Sequence, residues 1–469
     1  MKRRIIYQKS VKGKPNFSCL TVCNPNSAGI DIGSKEHWVA VSPHLAKDNV
    51  RHFSAYTCGL RAISKWLKRC HVKTVAMEST GVYWLSLYDI LEQDGFEVFL
   101  CNARNVKSLP GRQKTDVNDC AWIQKLHSFG LLSSSFIPNL DIRGLRALLR
   151  YRDILTQENS RHVLRMQKNL TQMNVLLHKV LSNIMGDSGT KIIKAIIAGN
   201  TKPEQLLKLK NKSVKASNAS FLKALDGNYD SLQIELLFHE LQHYEYTTGI
   251  ITQIDSKIRL KLIEMLKSMS DDSDNSSSDF EKLSEVDIMT FLLGVDLTQI
   301  PGISILSLRK LISETGTDMS KWEDASHFTA WLGLAPHNKK SGGKLLKSDT
   351  IHHKPKAATI FRMCASTLRR SKSHLGHFLR RKMVQKGYPK ALTATARKLA
   401  VIYYLMIKNR TPYLELGEDY YIINYRYKAI RNLQKKAKRL GFNIISNKVE
   451  VFPNKEADDN CSKTRRTLV

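Results

Sequence analysis

The amino-acid sequence predicts an α/β domain followed by a long helical region, and three observations carry that expectation. Short apolar runs closed by turn residues alternate with amphipathic stretches between residues 28 and 128. Beyond residue 145 the apolar residues recur at helical spacing over long windows. The charge is strongly one-sided: 74 Lys+Arg against 42 Asp+Glu in 469 residues give a net +32. Such an excess points to a polyanionic partner, with nucleic acid first and a membrane surface second. The longest apolar run, 399–407, is too short to span a bilayer, and the basic start Met1-Lys2-Arg3-Arg4 has no apolar signal-peptide core behind it. The eight cysteines are scattered; Cys19 and Cys23 have no second Cys/His pair at metal-site spacing. Reduced thiols in a cytoplasmic protein are expected.

The first domain is organised around Gly29-Ile30-Asp31-Ile32-Gly33-Ser34-Lys35. A strand over 28–32 surrounds one carboxylate with apolar residues, a tight turn follows at 33–36, and 38–41 returns as a second strand. A lone Asp in such a strand is costly to bury unless it is paired or bound to a cation, though an Asp capping a hairpin explains this motif equally well. A third strand is expected over 50–53 and a helix over 60–68, with Leu60, Ile63 and Leu67 on one face. Thr74-Val75-Ala76-Met77-Glu78 is a short apolar strand ending in an acid, Gly81 opens an amphipathic helix closed by Gly95, and 97–101 is a fifth strand. After a basic loop containing Arg112 and Lys114, Thr115 is a good N-cap for a helix that carries Asp116 and Asp119 three apart, hence on one face.

Three antiparallel strands, then helix, strand, helix, strand, helix, is the element order of an RNase H-like fold. That topology sets the first strand beside the fourth, so Asp31 and Glu78 are expected to meet, with Asp116 and Asp119 brought to them by the last helix. Each acid alone reads as a solvated surface group. Four at one point repel one another and make sense together around divalent cations.

Residues 1–27 read as a basic N-terminal arm, 28–142 as the acidic-site domain, and 143–267 as an antiparallel helical hairpin or coiled coil. That hairpin is either a dimer arm, an RNA-contacting stalk, or plain core packing with a solvated basic face. Residues 268–290 read as a polar linker, 291–413 as a second, mainly α-helical domain, and 414–469 as a basic C-terminal tail. In the second domain Ile300-Pro301-Gly302 has the look of a helix-hairpin-helix turn whose amides would hold a phosphate. Between His337 and Arg410 there are 19 Lys+Arg and one acid, Asp349, interleaved with apolar residues, which suits a folded surface facing phosphates. Ser341-Gly342-Gly343 reads as a basic loop with an exposed hydroxyl, flanked by Lys339, Lys340 and Lys344. Such a serine can attack a phosphodiester if a base or metal activates it; otherwise it is a flexible loop.

Taken with Met77-Glu78-Ser79-Thr80-Gly81-Val82-Tyr83-Trp84, Lys114-Thr115-Asp116-Val117-Asn118-Asp119, Leu332-Gly333-Leu334-Ala335-Pro336 and Ala396-Arg397-Lys398-Leu399, these motifs resemble the DEDD transposases of bacterial insertion sequences, the Piv-like recombinases guided by a bridge RNA. The resemblance implies a RuvC-like domain whose Asp31, Glu78, Asp116 and Asp119 bind Mg²⁺, and a transposase domain whose Ser341 forms a phosphoserine link with DNA. Arg112, Lys114, Lys339, Lys340, Lys344, Arg397 and Lys398 are expected to contact nucleic acid. The resemblance also implies donor and target DNA and a structured guide RNA as partners, and homodimers that assemble into tetramers in which one subunit's acids complete another's serine site. After Ser-Gly-Gly the family continues with a Lys-Gly-Asn-bearing segment, whereas this chain has His352-His353-Lys354-Pro355; Ser348 is the alternative nucleophile. Two other functions compete: a RuvC-type metal-dependent junction nuclease that uses water, and a non-catalytic basic nucleic-acid-binding protein.

Overall fold

The computed structural model describes residues 21–79, 81–101, 115–269, 277–350, 355–415 and 417–443. The chain divides between Ile137 and Pro138 into two compact units.

The first unit holds strands β1 (Ser27–Ile32), β2 (Glu36–Val41) and β3 (Val50–Ser54), helix α1 (Thr57–Arg69), β4 (Thr74–Glu78), α2 (Trp84–Gln93), β5 (Glu97–Cys101) and α3 (Asp116–Ser128). The sheet order is β3-β2-β1-β4-β5; β1 runs antiparallel to β2 and parallel to β4. This mixed five-stranded sheet with helices is consistent with an RNase H-like domain. The alternation of side chains along a strand assigns its two faces. Ala28, Ile30 and Ile32 of β1 and Val75 and Met77 of β4 join Ile63, Trp66, Leu67, Leu87 and Leu91 in one buried cluster under α1 and α2. The opposite face carries Gly29 and Asp31 of β1 and Ala76 and Glu78 of β4; there Ala76 and Cys101 pack with Ile123 and Leu126 of α3. The helix expected to open at Gly81 begins at Trp84 instead, because Gly81 takes a left-handed φ of 54° in the preceding turn.

The second unit is dominated by two long helices, α4 (Leu140–Gln172) and α5 (Ser231–Lys267). Their pairing is antiparallel: Asp141 meets Lys261, Arg152 meets Asp255, Asn159 meets Thr248 and His162 meets Glu240. At the distal end the short helices between 177 and 225 close a separate apolar cluster around Ile192, Ile193, Ile196 and Phe221. The polar stretch read as a linker to 290 is shorter than that. Helix resumes at Ser277–Lys282, and α6 (Glu285–Leu293) follows, held at its start by a reciprocal Ser284–Asp287 capping box.

Next come α7 (Ile305–Thr315), α8 (Ala325–Trp331), the two-stranded ribbon β6 (His337–Ser341) and β7 (Lys344–Asp349), then α9 (Lys356–Thr367), α10 (His374–Lys386), α11 (Tyr388–Asn409) and α12 (Gly417–Arg439). Phe328, Phe361, Tyr403 and Tyr404 form an aromatic centre, and the buried Tyr403 hydroxyl is 2.9 Å from the Thr315 hydroxyl. A Cβ on Gly302 would stand 2.7 Å from the Cys364 carbonyl oxygen, so the Pro301-Gly302 turn is packed closely on α9. The amide of Ser307 in the first turn of α7 is taken by the Ser304 side chain.

Candidate active site

Parallel pairing places Ile30 opposite Met77, so the next residues along, Asp31 and Glu78, lie near the ends of neighbouring strands on the same face of the sheet. Glu78 is 8% exposed and Asp31 half-buried. Helix α3 lies across this face. It approaches β1 so closely that a Cβ on Gly29 would sit 2.1 Å from the Gln124 amide nitrogen and 2.5 Å from the Cys120 carbonyl oxygen. Thr115 caps the helix as expected, its hydroxyl accepting from the Asn118 amide, and Asp116 and Asp119 stand in the first turn. Asp116 is exposed and Asp119 half-buried.

Two buried thiols lie near these acids. Burial pushes the Cys120 thiol up to about 12, and the Asp31 and Asp119 carboxylates add to that shift. Cys101, opposite Glu78 in the sheet, is pushed up to about 11 by burial first and by the Glu78 charge second. Asp31 and Glu78 thus stand on one face of the sheet, and Asp116 and Asp119 stand three residues apart in the first turn of the helix that crosses that face. Among the described residues no three His, Cys, Asp or Glu side chains stand as a cluster able to hold a metal ion. The carboxylate-only donor set suits a hard divalent cation; its side chains, as they stand, are not drawn together around one.

Sequence reasoning missed what holds α3 down. Gln124 is buried, and its amide nitrogen donates to the hydroxyls of Ser27, at 3.1 Å, and Ser42, at 2.9 Å. One turn on, His127 is 1% exposed, with Nε2 3.0 Å from the Thr74 hydroxyl and its pKa lowered to about 4 by burial. The amides of Cys23 and Asn24 donate to the Ser128 carbonyl, and the Asn24 side chain to that of His127. The available signal was the spacing Cys120, Ile123, Gln124, His127: two polar side chains on an apolar helical face.

Residues 28–175 match a transposase family of the IS110 DEDD type, and residues 296–380 match the transposase IS116/IS110/IS902 family. The chain is a DEDD transposase of the IS110 type. A comparison with curated proteins gave no match. As a transposase it is an enzyme that acts on DNA, in keeping with its positive charge, and no described helix is long and apolar enough to cross a membrane.

The second match includes Ser341 of the transposase. The stretch read as a basic loop is instead a β-hairpin. Gly342 and Gly343 have φ of 55° and 75°, the left-handed pair a two-residue turn needs, and they fold β7 back onto β6. Ser341 is the last residue of β6, exposed and paired with the exposed Lys344. Lys339 is exposed on β6 and paired with Lys347, Lys340 is paired with Leu345, and the alternative serine, Ser348, is paired with Asn338. Arg397 and Lys398 are half-buried on α11 and border a groove with Val401, Leu405 and Pro412; the Lys398 ammonium lies 4.6 Å from the centre of the Phe378 ring. Arg112 and Lys114 lie outside the described residues.

Proposed function

We propose that this transposase cleaves and rejoins DNA with Ser341 as nucleophile, with Mg²⁺ held by Asp31, Glu78, Asp116 and Asp119, and with a structured bridge RNA that pairs with donor and target DNA. The observation that carries the reading is the β1–β4 register, which sets Asp31 beside Glu78 on the face covered by the acidic first turn of α3.

In the reaction the Ser341 Oγ forms a bond to phosphorus while one phosphodiester P–O bond breaks, leaving a phosphoserine link and a free strand hydroxyl. A hydroxyl from the exchanging strand then attacks the same phosphorus and releases the serine. Two such transesterifications conserve the number of phosphodiester bonds. The exposed Lys339 and Lys344 offset phosphate charge at the hairpin. Bound at the acids, Mg²⁺ would neutralise developing charge on the phosphate and favour the deprotonated oxygen nucleophile. The hairpin itself, His337–Ser341 and Lys344–Asp349, contains no carboxylate next to Ser341 in sequence, which favours activation by a site assembled from another element or subunit. A dimer-of-dimers in which one subunit's acids serve another's serine meets that need. Base pairing with the RNA would read sequence, while the basic faces of the protein hold backbones.

The competing reading, a junction nuclease using water, draws support from the placement of all four acids in one compact unit that excludes Ser341. Strand exchange on a donor–target pair separates the two. Ser341→Ala and Asp31→Ala each abolish exchange under the proposal. Exchange that survives Ser341→Ala but not Asp31→Ala assigns the reaction to the acids and water.

A further inference from the structure

A shared Mg²⁺ requires a fixed distance between the two acids on the sheet and the two on α3. We infer that Gln124, acting through Ser27 and Ser42, is the positioning residue that fixes α3 in register on β1 and so aligns Asp116 and Asp119 with Asp31 and Glu78. The inference rests on the Mg²⁺ reading proposed above.

Three observations carry it. At Gly29 the helix backbone touches the strand with no side chain between them, so van der Waals contact there resists approach but does little to resist sliding. Among the directional contacts that tie this helix to the sheet, those of Gln124 reach β1 itself, whereas that of His127 reaches Thr74 at the start of β4. The Gln124 amide nitrogen donates to both the Ser27 and the Ser42 hydroxyl, and these two residues belong to different segments, the start of β1 and the residue after β2. The serines are themselves locked together: the Ser42 amide donates to the Ser27 carbonyl at 3.1 Å, and the two hydroxyls are 3.3 Å apart.

All three residues are buried, with Ser27 0%, Ser42 3% and Gln124 7% exposed, so a slip of the helix would leave polar groups without partners and without water. The lock lies four residues before Asp31 on the strand and five after Asp119 on the helix. It therefore stands behind the acids and touches no reacting group. A shift of about 1 Å at such a support is enough to disperse a ligand set.

The test compares the full-length wild-type protein with Gln124→Leu and with the triple variant Gln124→Leu/Ser27→Ala/Ser42→Ala. The triple variant removes the Gln124 donor together with its two hydroxyl acceptors, so neither serine hydroxyl is left facing a leucine. Two readouts are taken. The first is alkylation of Cys120 and Cys70 by N-ethylmaleimide, followed by peptide mass spectrometry. Both cysteines are buried in the same unit, Cys120 between α3 and β1 and Cys70 beyond the end of α1 on the opposite face. The second is the Mg²⁺ concentration that gives half-maximal DNA cleavage.

In both variants Cys120 is expected to label roughly ten-fold faster while Cys70 does not change, as for a local displacement of one helix. The half-maximal Mg²⁺ concentration is expected to rise roughly ten-fold, as for loss of support behind ligands. Equal acceleration at both cysteines would mean that Gln124 serves fold stability only. Unchanged labelling, or faster Cys120 labelling with an unchanged Mg²⁺ requirement, also overturns the inference. A wild-type protein that cleaves without Mg²⁺ breaks the metal reading instead; the Cys120-to-Cys70 ratio then still decides whether Gln124 holds the helix in register.

Discussion

Gly29 and Gly343 each stand two residues from a proposed reacting group, and they are glycines for different reasons. At Gly29 the backbone needs space: a Cβ would collide with the backbone of α3. At Gly343 space is plentiful, with nothing within 4 Å of an added Cβ, and the need is conformational, a φ of 75° that a side chain disfavours. The difference extends to the surroundings. Asp31 and Glu78 are carried by strands packed on both faces, so the fold fixes their backbone before any ligand arrives. Ser341 is carried by an exposed two-stranded ribbon whose own Leu346 is 68% exposed. A lone hairpin of this kind is only marginally stable by itself. The backbone that carries Asp31 and Glu78 is fixed by a core, whereas Ser341 stands on an exposed ribbon.

That contrast can be broken at several points, and the largest effect is expected at the sheet. Gly29→Ala should push α3 off β1, costing about 1–3 kcal/mol of stability and lowering DNA cleavage by about 100-fold or more. Thermal melting and a cleavage assay check both; unchanged activity would mean that the α3 acids need not approach Asp31. Next is complementation. Ser341→Ala and Asp31→Ala proteins, each inactive alone, should recover part of the exchange activity when mixed, if acids and serine act across subunits. No recovery in a mixture shown to form hetero-oligomers would place them in the same chain.

Acid should weaken the first unit selectively. His127 has a folded pKa of about 4, below the ordinary 6.5, so the unfolded chain binds the extra proton between these values. Stability contributed by neutral His127 is full above pH 6.5, falls as pH drops through that window, and is lost below about 4, for a total of up to about 3 kcal/mol. His37, also lowered by burial, acts in the same direction. His127→Gln should flatten the pH dependence of melting in this unit, and an unchanged slope would remove His127 as its cause.

A smaller effect is expected at the hairpin. Gly343→Val forces a branched side chain into a left-handed φ, worth about 1–2 kcal/mol locally. It should lower cleavage while leaving the melting temperature unchanged, since the ribbon contributes little to the core. An effect of similar size, confined to stability, is expected at the base of the long helices. Arg309 is buried on α7 and paired with Asp255 and Glu285, both partly exposed. Arg309→Met should lower stability by only about 1–2 kcal/mol, because solvent screens the carboxylates left behind.

Much of the sheet was legible because its signals are local. Asp31 and Glu78 lie in apolar runs that are buried on both faces, the 97–101 strand in a shorter apolar run, and Thr115 at a position with capping chemistry. Gln124, Ser27 and Ser42 were not legible, since their meaning lies in contacts 82 and 97 residues apart. The ribbon at Ser341 resembles a loop in sequence because its strands are lysine-rich and lack an alternating apolar face, while the Gly-Gly pair is its visible turn signal. The stretch from 277 to 290 looked like linker from its serines and acids, yet Ser284 uses that same polarity to cap α6.

The most direct measurement is of the covalent step itself. Wild-type protein, Ser341→Ala and Asp31→Ala are incubated with donor DNA, guide RNA and Mg²⁺, then resolved under denaturing conditions, and any DNA-linked peptide is sequenced by mass spectrometry. The account predicts a protein–DNA adduct mapped to Ser341 in the wild type and none in either variant. Cleavage by Ser341→Ala with no adduct, or an adduct mapped to Ser348, would contradict it.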